Sequence, residues 1–360
     1  MKVLWFNWRD IRHPEAGGAE IYTHEIAKRL ASKGHQVTLY CPKFPNAKSS
    51  EEIDGVTIRR DGGRYTVYRK ARAFFKKFGS AYDLTVDEIN AKPFLNPRTH
   101  HHLHILGLIH QTIREEWFYE MPFPLSYLFY HVIEKLWLKP YMDVLTVTVS
   151  RSSKAELESL GFRNVEIVPN GLSVKPLQSV IEKERDPTLC FIGRLKKHKL
   201  PDHALESFLL IKKKIPNAKM WFIGDGEMRQ KLEKKASFCT DITFHGRVDE
   251  KTKYELLSRA HLVLVPSIKE GWGLVVTESN AMGTPVVGYD VPGLRDSIVN
   301  GQNGVLAKSN SYSEMADLAI NLLKDRDLLG QYSNNALCLS KKFSWDTSAE
   351  IFEGILIKLA

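Results

Sequence analysis

The fold is decided by residues 261–288, which read HLVLVPSIKEGWGLVVTESNAMGTPVVG. Two apolar runs enclose a segment that contains two glycines and then helix-forming residues. The pattern predicts a strand, a glycine-containing turn, a short helix and a second strand. This succession is part of a βαβ unit, so the sequence predicts an α/β protein with a charged turn at a strand end.

The chemistry of this turn indicates a ligand with both phosphate and hydroxyl groups. Gly271 and Gly273 let the backbone approach a ligand, and the first N–H groups of the helix suit a phosphate. Glu270 precedes the helix and Glu278 lies inside it, so both carboxylates can face one crevice. A nucleotide sugar is such a ligand. Alternatively, the two glutamates only favour a helix N-terminus through its dipole.

The setting of the two glutamates, E-G-W-G-L-x-x-x-E-x-x-A-x-G-x-P-V-V, resembles the E-x7-E signature of the retaining GT-B glycosyltransferases, family 4 in particular. The resemblance implies two Rossmann-like, doubly wound domains that face a cleft, and a C-terminal helix that crosses back to the N-terminal domain. It implies that Glu270 contacts donor-sugar hydroxyls and that Glu278 holds the ribose hydroxyls. The other donor-binding residues that it implies here are Gly271, Trp272, Gly273 and Leu274.

The length of 360 residues suits two domains of about 150–200 residues each. We expect an acceptor-binding domain over residues 1–172, completed by the C-terminal helix 345–360. A linker is expected over 173–187, where the sequence becomes polar and loses its periodicity. The nucleotide-sugar-binding domain is expected over 188–344.

Composition excludes several classes of protein. No stretch approaches the roughly 18–20 apolar residues that span a bilayer, and residues 1–7 enter a strand without a signal-peptide pattern, so we expect a cytoplasmic protein. The four cysteines are far apart, which predicts reduced thiols. The net charge of +9 suits anionic partners, but no nucleic-acid-binding motif accompanies it, so nucleic acid is not an expected partner.

Two segments of the first domain raise the hypothesis of a peripheral position at an anionic membrane. Residues 69–78 predict a basic helix with aromatic side chains, which can lie on such a surface or can simply be solvated. Residues 125–142 predict a helix, broken near Pro140, with more apolar surface than one buried face requires. That surface can receive a lipid-linked acceptor or pack against another domain. We therefore expect a glycan or a lipid-linked molecule as acceptor.

The resemblance places three residues of the first domain in the donor site. Gly17 and Gly18 match a glycine pair at the mouth of the cleft, near the donor phosphates and the acceptor. His110 follows a predicted strand and matches a histidine beside the donor sugar. Each of these roles has an alternative: the two glycines can simply form the start of a helix, and the histidine can be a structural residue.

The second domain opens with a strand that runs into G-R-L and a lysine-rich turn. Arg194 and Lys199, five residues apart across this turn, can close on a diphosphate, and the motif resembles that of the family. Leu200 stands where the family often has glycine, which leaves the loop geometry open. The resemblance also places Arg247 or Val248 beside the nucleotide base.

The resemblance implies a retaining hexosyltransferase whose catalytic residues are Glu270, His110, Arg194 and Lys199. Arg194, Lys199 and helix N–H groups would stabilise the charge on the departing diphosphate, so no metal or other cofactor is expected. His100, His101, His102 and His104 resemble a metal cluster, but no carboxylate is spaced to join them. We expect a UDP-sugar as donor, with GDP-mannose next, and attack on the face from which the diphosphate leaves.

Other functions remain open at this point. An enzyme of the same fold can epimerise or hydrolyse a nucleotide sugar, and a non-catalytic relative can only bind one. A nicotinamide-dependent dehydrogenase is disfavoured, because Arg229 stands where the third glycine of a dinucleotide-binding fingerprint belongs.

Overall fold

The computed structural model of the chain describes residues 1–95, 97–99 and 104–360, without the side chain of Thr99. It divides into two compact units, each with its own core. The first unit comprises Met1–Trp117, Phe123–Gly171 and Ser344–Ala360, and the second comprises Phe118–Pro122 and Leu172–Phe343. None of the helices in these described residues is long and apolar enough to cross a membrane.

The strands fall into two sheets, one in each unit. Those of the first unit are β1 Lys2–Phe6, β2 Gln36–Cys41, β3 Ser50–Ile53, β4 Val56–Arg60, β5 Leu84–Glu88, β6 Ile105–Leu108, β7 Thr146–Thr148 and β8 Val165–Ile167. Those of the second unit are β9 Thr188–Ile192, β10 Lys219–Ile223, β11 Ile242–Gly246, β12 Leu262–Val265, β13 Val286–Tyr289 and β14 Gly304–Ala307. The predicted strands on either side of the glycine turn are thus β12 and β13.

Both sheets are doubly wound. In the described residues the first has the order β3-β4-β2-β1-β5-β6-β7-β8, and only the β3–β4 pair is antiparallel. The second has the order β11-β10-β9-β12-β13-β14 and is parallel throughout. Parallel strands covered on both faces need continuous apolar sequence, which is why runs such as Leu262–Val265 are entirely buried. The predicted α/β, Rossmann-like fold is confirmed.

The helices connect these strands and cover the sheets. They are α1 Gly18–Ser32, α2 Val67–Phe78, α3 Trp117–Glu120, α4 Leu125–Leu128, α5 Glu134–Leu138, α6 Arg151–Ser159, α7 Pro201–Lys214, α8 Arg229–Ala236, α9 Glu250–Arg259, α10 Leu274–Ala281, α11 Leu294–Ser297, α12 Tyr312–Lys324, α13 Arg326–Ser340 and α14 Trp345–Leu359. A π-helical turn at Phe129–Ile133 joins α4 to α5. Short 3-10 helices lie at Gly79–Ala81, Pro97–Thr99, Arg114–Glu116, Lys139–Tyr141 and Lys197–Lys199.

The last helix, α14, belongs to the first unit. The ring of Phe352 stacks on that of Trp5 in β1, with 5.2 Å between their centres. Arg29 of α1 donates a hydrogen bond from Nε to Asp346 at 2.5 Å. The prediction that the C-terminal helix crosses back to the N-terminal part of the chain is therefore confirmed.

The polar segment 173–187 is part of the second unit. Lys183 is half-buried, and its ammonium group donates to the carbonyl oxygens of Ser258 and Gly283 and to Oγ1 of Thr284, at 2.8–3.0 Å. Burial lowers the pKa of Lys183 to about 8. The two carbonyls lie at the C-terminal ends of α9 and α10, where a cation is favourable. Lys183 thus holds this segment to the second unit, and the linker role expected for residues 173–187 remains a prediction.

Candidate active site

Two glycine turns meet at the carboxyl ends of β9 and β10. A Cβ atom on Gly224 would lie 2.0 Å from the carbonyl oxygen of Gly193, and one on Gly226 would lie 2.6 Å from that of Leu195. The backbone N–H of Leu195 donates to Asp225 O at 2.9 Å. Gly224 and Gly226 are the first two glycines of the dinucleotide-binding fingerprint that Arg229 interrupts. They let the backbone after β10 contact the backbone after β9, and this contact fixes the turn that carries Arg194.

Arg194 and Lys199 lie on this turn, residues 193–200, which we call the basic loop. Arg194 is exposed, and Lys199 ends the 3-10 helix Lys197–Lys199. Leu200 follows in the left-handed conformation, with φ 47° and ψ 50°. That conformation costs a residue other than glycine about 1–2 kcal/mol, but the Leu200 side chain is buried. The loop thus keeps the left-handed turn without the glycine that the family often has.

Lys199 contacts Glu270 directly. Its Nζ lies 2.6 Å from Oε1 of Glu270, and the two side chains are only 20% and 14% exposed. Burial, the largest influence, raises the pKa of Glu270. The Lys199 ammonium group, a hydrogen bond from Ser267 and the charge of His198 outweigh it and leave this pKa below its ordinary value. Glu270 is therefore an ionised hydrogen-bond acceptor at neutral pH.

The turn after β13 supports the backbone of Glu270. Glu270 N donates to Pro292 O at 3.2 Å. Gly293 has a φ of +80°, and a Cβ atom there would lie 2.1 Å from the carbonyl oxygen of Glu270. Only glycine allows this approach. The position of the catalytic candidate thus depends on a glycine 23 residues further along the chain.

The helix α10 begins after Gly273, which has a φ of +86° and abuts Leu294. Gly271 lies in the turn between Glu270 and this helix, and Leu274 is the first helical residue. The ring of Trp272 packs edge-on against Phe343 at 5.5 Å. Its Nε1 is buried and finds no hydrogen-bond acceptor among the described residues. The predicted donor-binding turn is therefore formed as expected, while its contacts with a ligand remain predictions.

Glu278 of α10 has partners that the sequence did not suggest. Its Oε1 accepts hydrogen bonds from Lys253 Nζ at 3.0 Å and from Tyr254 Oη at 3.3 Å. Burial raises the pKa of Glu278 above its ordinary value, although Lys253 opposes the effect. Lys253 and Tyr254 lie on α9, which follows Arg247 and Val248 at the end of β11.

Arg247 is exposed, while Val248 packs against the core of the second unit. Both lie on the connection between β11 and α9, the helix whose Lys253 binds Glu278. Arg247 and Val248, predicted to lie beside the base, and Glu278, predicted to bind the ribose, are therefore found at the same edge of the second unit. Both roles remain predictions.

His110 lies at the end of β6 in the first unit. Its Nε2 is 3.1 Å from Oε1 of the buried Glu88, and Ser153 Oγ donates to its carbonyl oxygen at 3.0 Å. Glu88 also accepts hydrogen bonds from Trp5 Nε1 at 2.9 Å and from Thr23 Oγ1. The ring is thus anchored as a structural histidine would be, and its predicted contact with the sugar remains a prediction.

Gly17 and Gly18 form the entry of α1. Gly17 N donates to Oε2 of Glu20 at 2.6 Å, and Gly18 is the first helical residue. This arrangement is the helix entry that the sequence offered as an alternative. It leaves the predicted role beside the donor phosphates untested.

Sequence reasoning missed Glu120, which lies on α3. Its Oε1 is 2.7 Å from Nδ1 of His198 in the basic loop. The hydrogen bond from His198 lowers the pKa of Glu120 below its ordinary value. The two residues are 78 positions apart, so spacing gives no sign of their contact.

No group of three or more His, Cys, Asp or Glu residues in the described ranges 1–95, 97–99 and 104–360 is placed to hold a metal ion. His100, His101 and His102 lie outside these ranges. Independence from metal remains a prediction.

Two known protein families match the chain. Residues 16–175 match the family model described as Glycosyltransferase Family 4, and residues 176–337 match the one described as Glycosyl transferases group 1. The chain belongs to the family 4 glycosyltransferases. The predicted family and the prediction of a sugar-transferring enzyme are therefore confirmed.

Curated relatives of this glycosyltransferase match it over most of its length. It is 25% identical to glycogen synthase of Mycobacterium tuberculosis, with 97% of the chain and 92% of the relative covered. It is also 25% identical to phosphatidyl-myo-inositol mannosyltransferase of Mycolicibacterium smegmatis, with 93% and 89% covered. The two names indicate different acceptors, so the relatives leave the acceptor of this glycosyltransferase open.

Solved glycosyltransferases share its fold. Sucrose-phosphate synthase of Thermosynechococcus elongatus superposes with a TM-score of 0.83 at 18% identity, covering 99% of this chain and 98% of its own. The Anabaena protein HepE, solved with UDP and glucose, superposes with a TM-score of 0.73 at 15% identity, covering 99% and 100%. At these identities the likeness shows the fold alone, and the predicted GT-B class is confirmed.

Proposed function

We propose that this glycosyltransferase moves a hexose from a nucleotide-diphosphate sugar to a glycan or lipid-linked acceptor, with retention and without a metal. The observation that carries the proposal is the contact between Lys199 and the ionised Glu270, on the same unit as the exposed Arg194. A carboxylate that accepts from sugar hydroxyls and cations that bind a diphosphate are the two chemistries that such a donor requires.

The cations and the carboxylate have different roles in the reaction. Breaking the bond between sugar and phosphate builds negative charge on the departing diphosphate, and Arg194 and Lys199 stabilise it. Glu270 orients the sugar by accepting hydrogen bonds from its hydroxyls. Because Glu270 is already engaged by Lys199, we favour attack by the acceptor on the face from which the diphosphate leaves over a covalent intermediate on this carboxylate.

The donor is proposed to be a UDP-sugar, because HepE was solved with UDP and glucose. GDP-mannose comes second, because one relative is named a mannosyltransferase. A nucleotide-sugar epimerase or hydrolase would turn over without an acceptor, and a non-catalytic protein would bind without turnover. Product formation that depends on an acceptor therefore separates transfer from both.

Nucleotide binding tests the diphosphate site. In EDTA, the wild type is expected to bind one of UDP, GDP and ADP, and Arg194→Ala with Lys199→Ala is expected to weaken that binding about 100-fold. Each charge-assisted hydrogen bond contributes about 1.5–3 kcal/mol, so the loss of two weakens binding by about 100-fold or more. Isothermal titration calorimetry measures both proteins.

The matched control removes two cations from surface ion pairs of the same unit. Lys219 pairs with Asp186 and Lys235 pairs with Glu206, so Lys219→Ala with Lys235→Ala should bind as the wild type does. If the wild type binds none of the three nucleotides in EDTA, metal-independent binding of the donor is refuted.

We further propose a cytoplasmic enzyme that contacts an anionic membrane through its first unit. The helical segment 125–138 exposes four large apolar side chains at intervals of three or four residues, each by 41–58%. They are Leu125, Leu128, Val132 and Leu136. Lys135 on this segment and Lys139 directly after it are exposed. An apolar stripe flanked by cations is typical of an interfacial helix. In α2, by contrast, most apolar side chains are buried, and Phe78 at the end of the helix is its one large apolar side chain classed as exposed, at 37%.

Flotation with vesicles of anionic phospholipid tests this contact at low salt. The wild type is expected to float, whereas Leu128→Ser with Leu136→Ser should reduce the floating fraction at least fivefold, because burial of each leucine contributes about 1.5–3 kcal/mol. Ile351→Ser with Ile357→Ser, at two exposed positions of α14, is the control and should float. Wild-type protein that stays at the bottom would rule out the membrane.

A further inference from the structure

The basic loop concentrates positive charge and meets two carboxylates. Five of the residues from 194 to 199 are basic: Arg194, Lys196, Lys197, His198 and Lys199. Glu270 contacts the loop through Lys199 at 2.6 Å, and Glu120 contacts it through His198 at 2.7 Å. The charges of Lys196 and Arg194 also favour the ionised form of Glu120. Glu120 is thus a second counter-charge of the loop that carries the diphosphate-binding residues.

His198 joins the basic loop to the strand end that carries Glu270. Its side chain is only 9% exposed, and its carbonyl oxygen accepts from Ile268 N at 3.1 Å. Ile268 precedes Glu270 by two residues. His198 contacts Glu120 with its ring and Ile268 with its backbone. It thereby sets the distance between the basic loop and the Glu270 turn.

The conformation of the loop makes such support necessary. Leu200 closes it in the left-handed region, which a side chain disfavours. The turn therefore persists because surrounding contacts hold it. Glu120 supplies one of these contacts from Phe118–Pro122, a segment that is grouped with the second unit although the residues on both sides of it belong to the first.

We propose that Glu120 is a positioning residue for the donor diphosphate. Its carboxylate holds the His198 imidazole and thereby keeps Lys199 directed at Glu270 and at the diphosphate. The inference rests on the proposed function, since it concerns binding at the same site. Glu120, on α3, thus contributes to the affinity for the nucleotide without contacting the nucleotide itself.

Other roles of Glu120 predict other changes in nucleotide affinity when its carboxylate is removed. If Glu120 merely occupied the basic loop as an internal anion, it would compete with the diphosphate, and its removal would strengthen nucleotide binding. If it only stabilised the fold, its removal would lower the melting temperature and leave the dissociation constant of the folded protein unchanged. A positioning role predicts weaker binding.

The experiment measures the dissociation constant of the nucleotide bound by the wild type, by calorimetry, in Glu120 variants. Glu120→Ala is expected to weaken binding about tenfold and to raise KM for the donor more than it lowers kcat. Glu120→Asp should recover most of the affinity, and the isosteric Glu120→Gln should recover part, because its amide oxygen still accepts from Nδ1. Glu206→Ala, which removes a glutamate of similar exposure that pairs with Lys235, should change nothing.

A double-variant cycle shows whether Glu120 acts through His198. His198→Ala with Glu120→Ala is expected to bind no more weakly than His198→Ala alone. Unchanged or tighter binding by folded Glu120→Ala, or additive losses in the cycle, would overturn the inference while nucleotide binding by the wild type still supported the proposed function. A wild type that binds no nucleotide would overturn both.

Discussion

Glu270→Gln is expected to lower the turnover of sugar transfer by about 10²–10³-fold at saturating donor, the range that loss of one polar group in contact with reacting atoms typically costs. The amide keeps the size of the side chain but removes the charge that Lys199 contacts at 2.6 Å. It also weakens the acceptor for sugar hydroxyls. Nucleotide affinity should fall much less, because Arg194 and Lys199 remain. Transfer of a labelled sugar to the acceptor measures kcat, and calorimetry measures binding.

The chain offers a matched control for this substitution. Glu353 is 19% exposed and accepts hydrogen bonds from Lys33 at 2.6 Å and His35 at 2.9 Å. Glu353→Gln therefore removes a paired, mostly buried carboxylate on α14 of the first unit and should leave kcat unchanged. Turnover of Glu270→Gln within threefold of the wild type would refute the role of Glu270 at the sugar.

Gly293→Ala is expected to lower activity about 100-fold or more although Gly293 carries no side chain. The added Cβ would lie 2.1 Å from the carbonyl oxygen of Glu270 and 2.5 Å from its carbonyl carbon, and the φ of +80° disfavours alanine. The two turns must separate, and a displacement of about 1 Å at reacting groups can cost a factor of 10² in rate. Unfolding stability should fall by about 1–3 kcal/mol. Steady-state kinetics and thermal unfolding measure the two effects.

Gly354→Ala is the control for the glycine substitution. Gly354 lies within α14, and apart from its chain neighbours and the backbone of its own helix, no heavy atom of the described residues stands within 4 Å of the position that a Cβ would take. Alanine should stabilise this helix by about 0.5–1 kcal/mol and leave activity unchanged. If Gly293→Ala matched the wild type in both activity and stability, the turn after β13 would not support Glu270 as described.

Local sequence signals predicted the elements around the site. The apolar runs and glycines of residues 261–288 predicted a strand, a turn, a helix and a strand, and the structure has β12, Gly273 with a positive φ, α10 and β13 in that order. Backbone periodicity and the freedom of glycine act within a few residues, so a sequence displays them directly.

The side-chain partners of the site could not be predicted in the same way. Glu120 meets His198 across 78 positions, and Lys253 meets Glu278 across 25. Such contacts depend on how strands and helices stack, which periodicity does not encode. The contacts of Lys183 in the polar segment 173–187 could not be predicted for a related reason, because a lysine can be half-buried once neighbouring carbonyl oxygens satisfy its ammonium group.

The place of α14 has a consequence for synthesis on the ribosome. Trp5 is translated before its stacking partner Phe352, and the whole of Leu172–Phe343 lies between them in the chain. Domains usually fold in the order in which they emerge. Here the first unit waits for its closing helix with part of its core uncovered, so the second unit can complete its fold while the first is still unfinished.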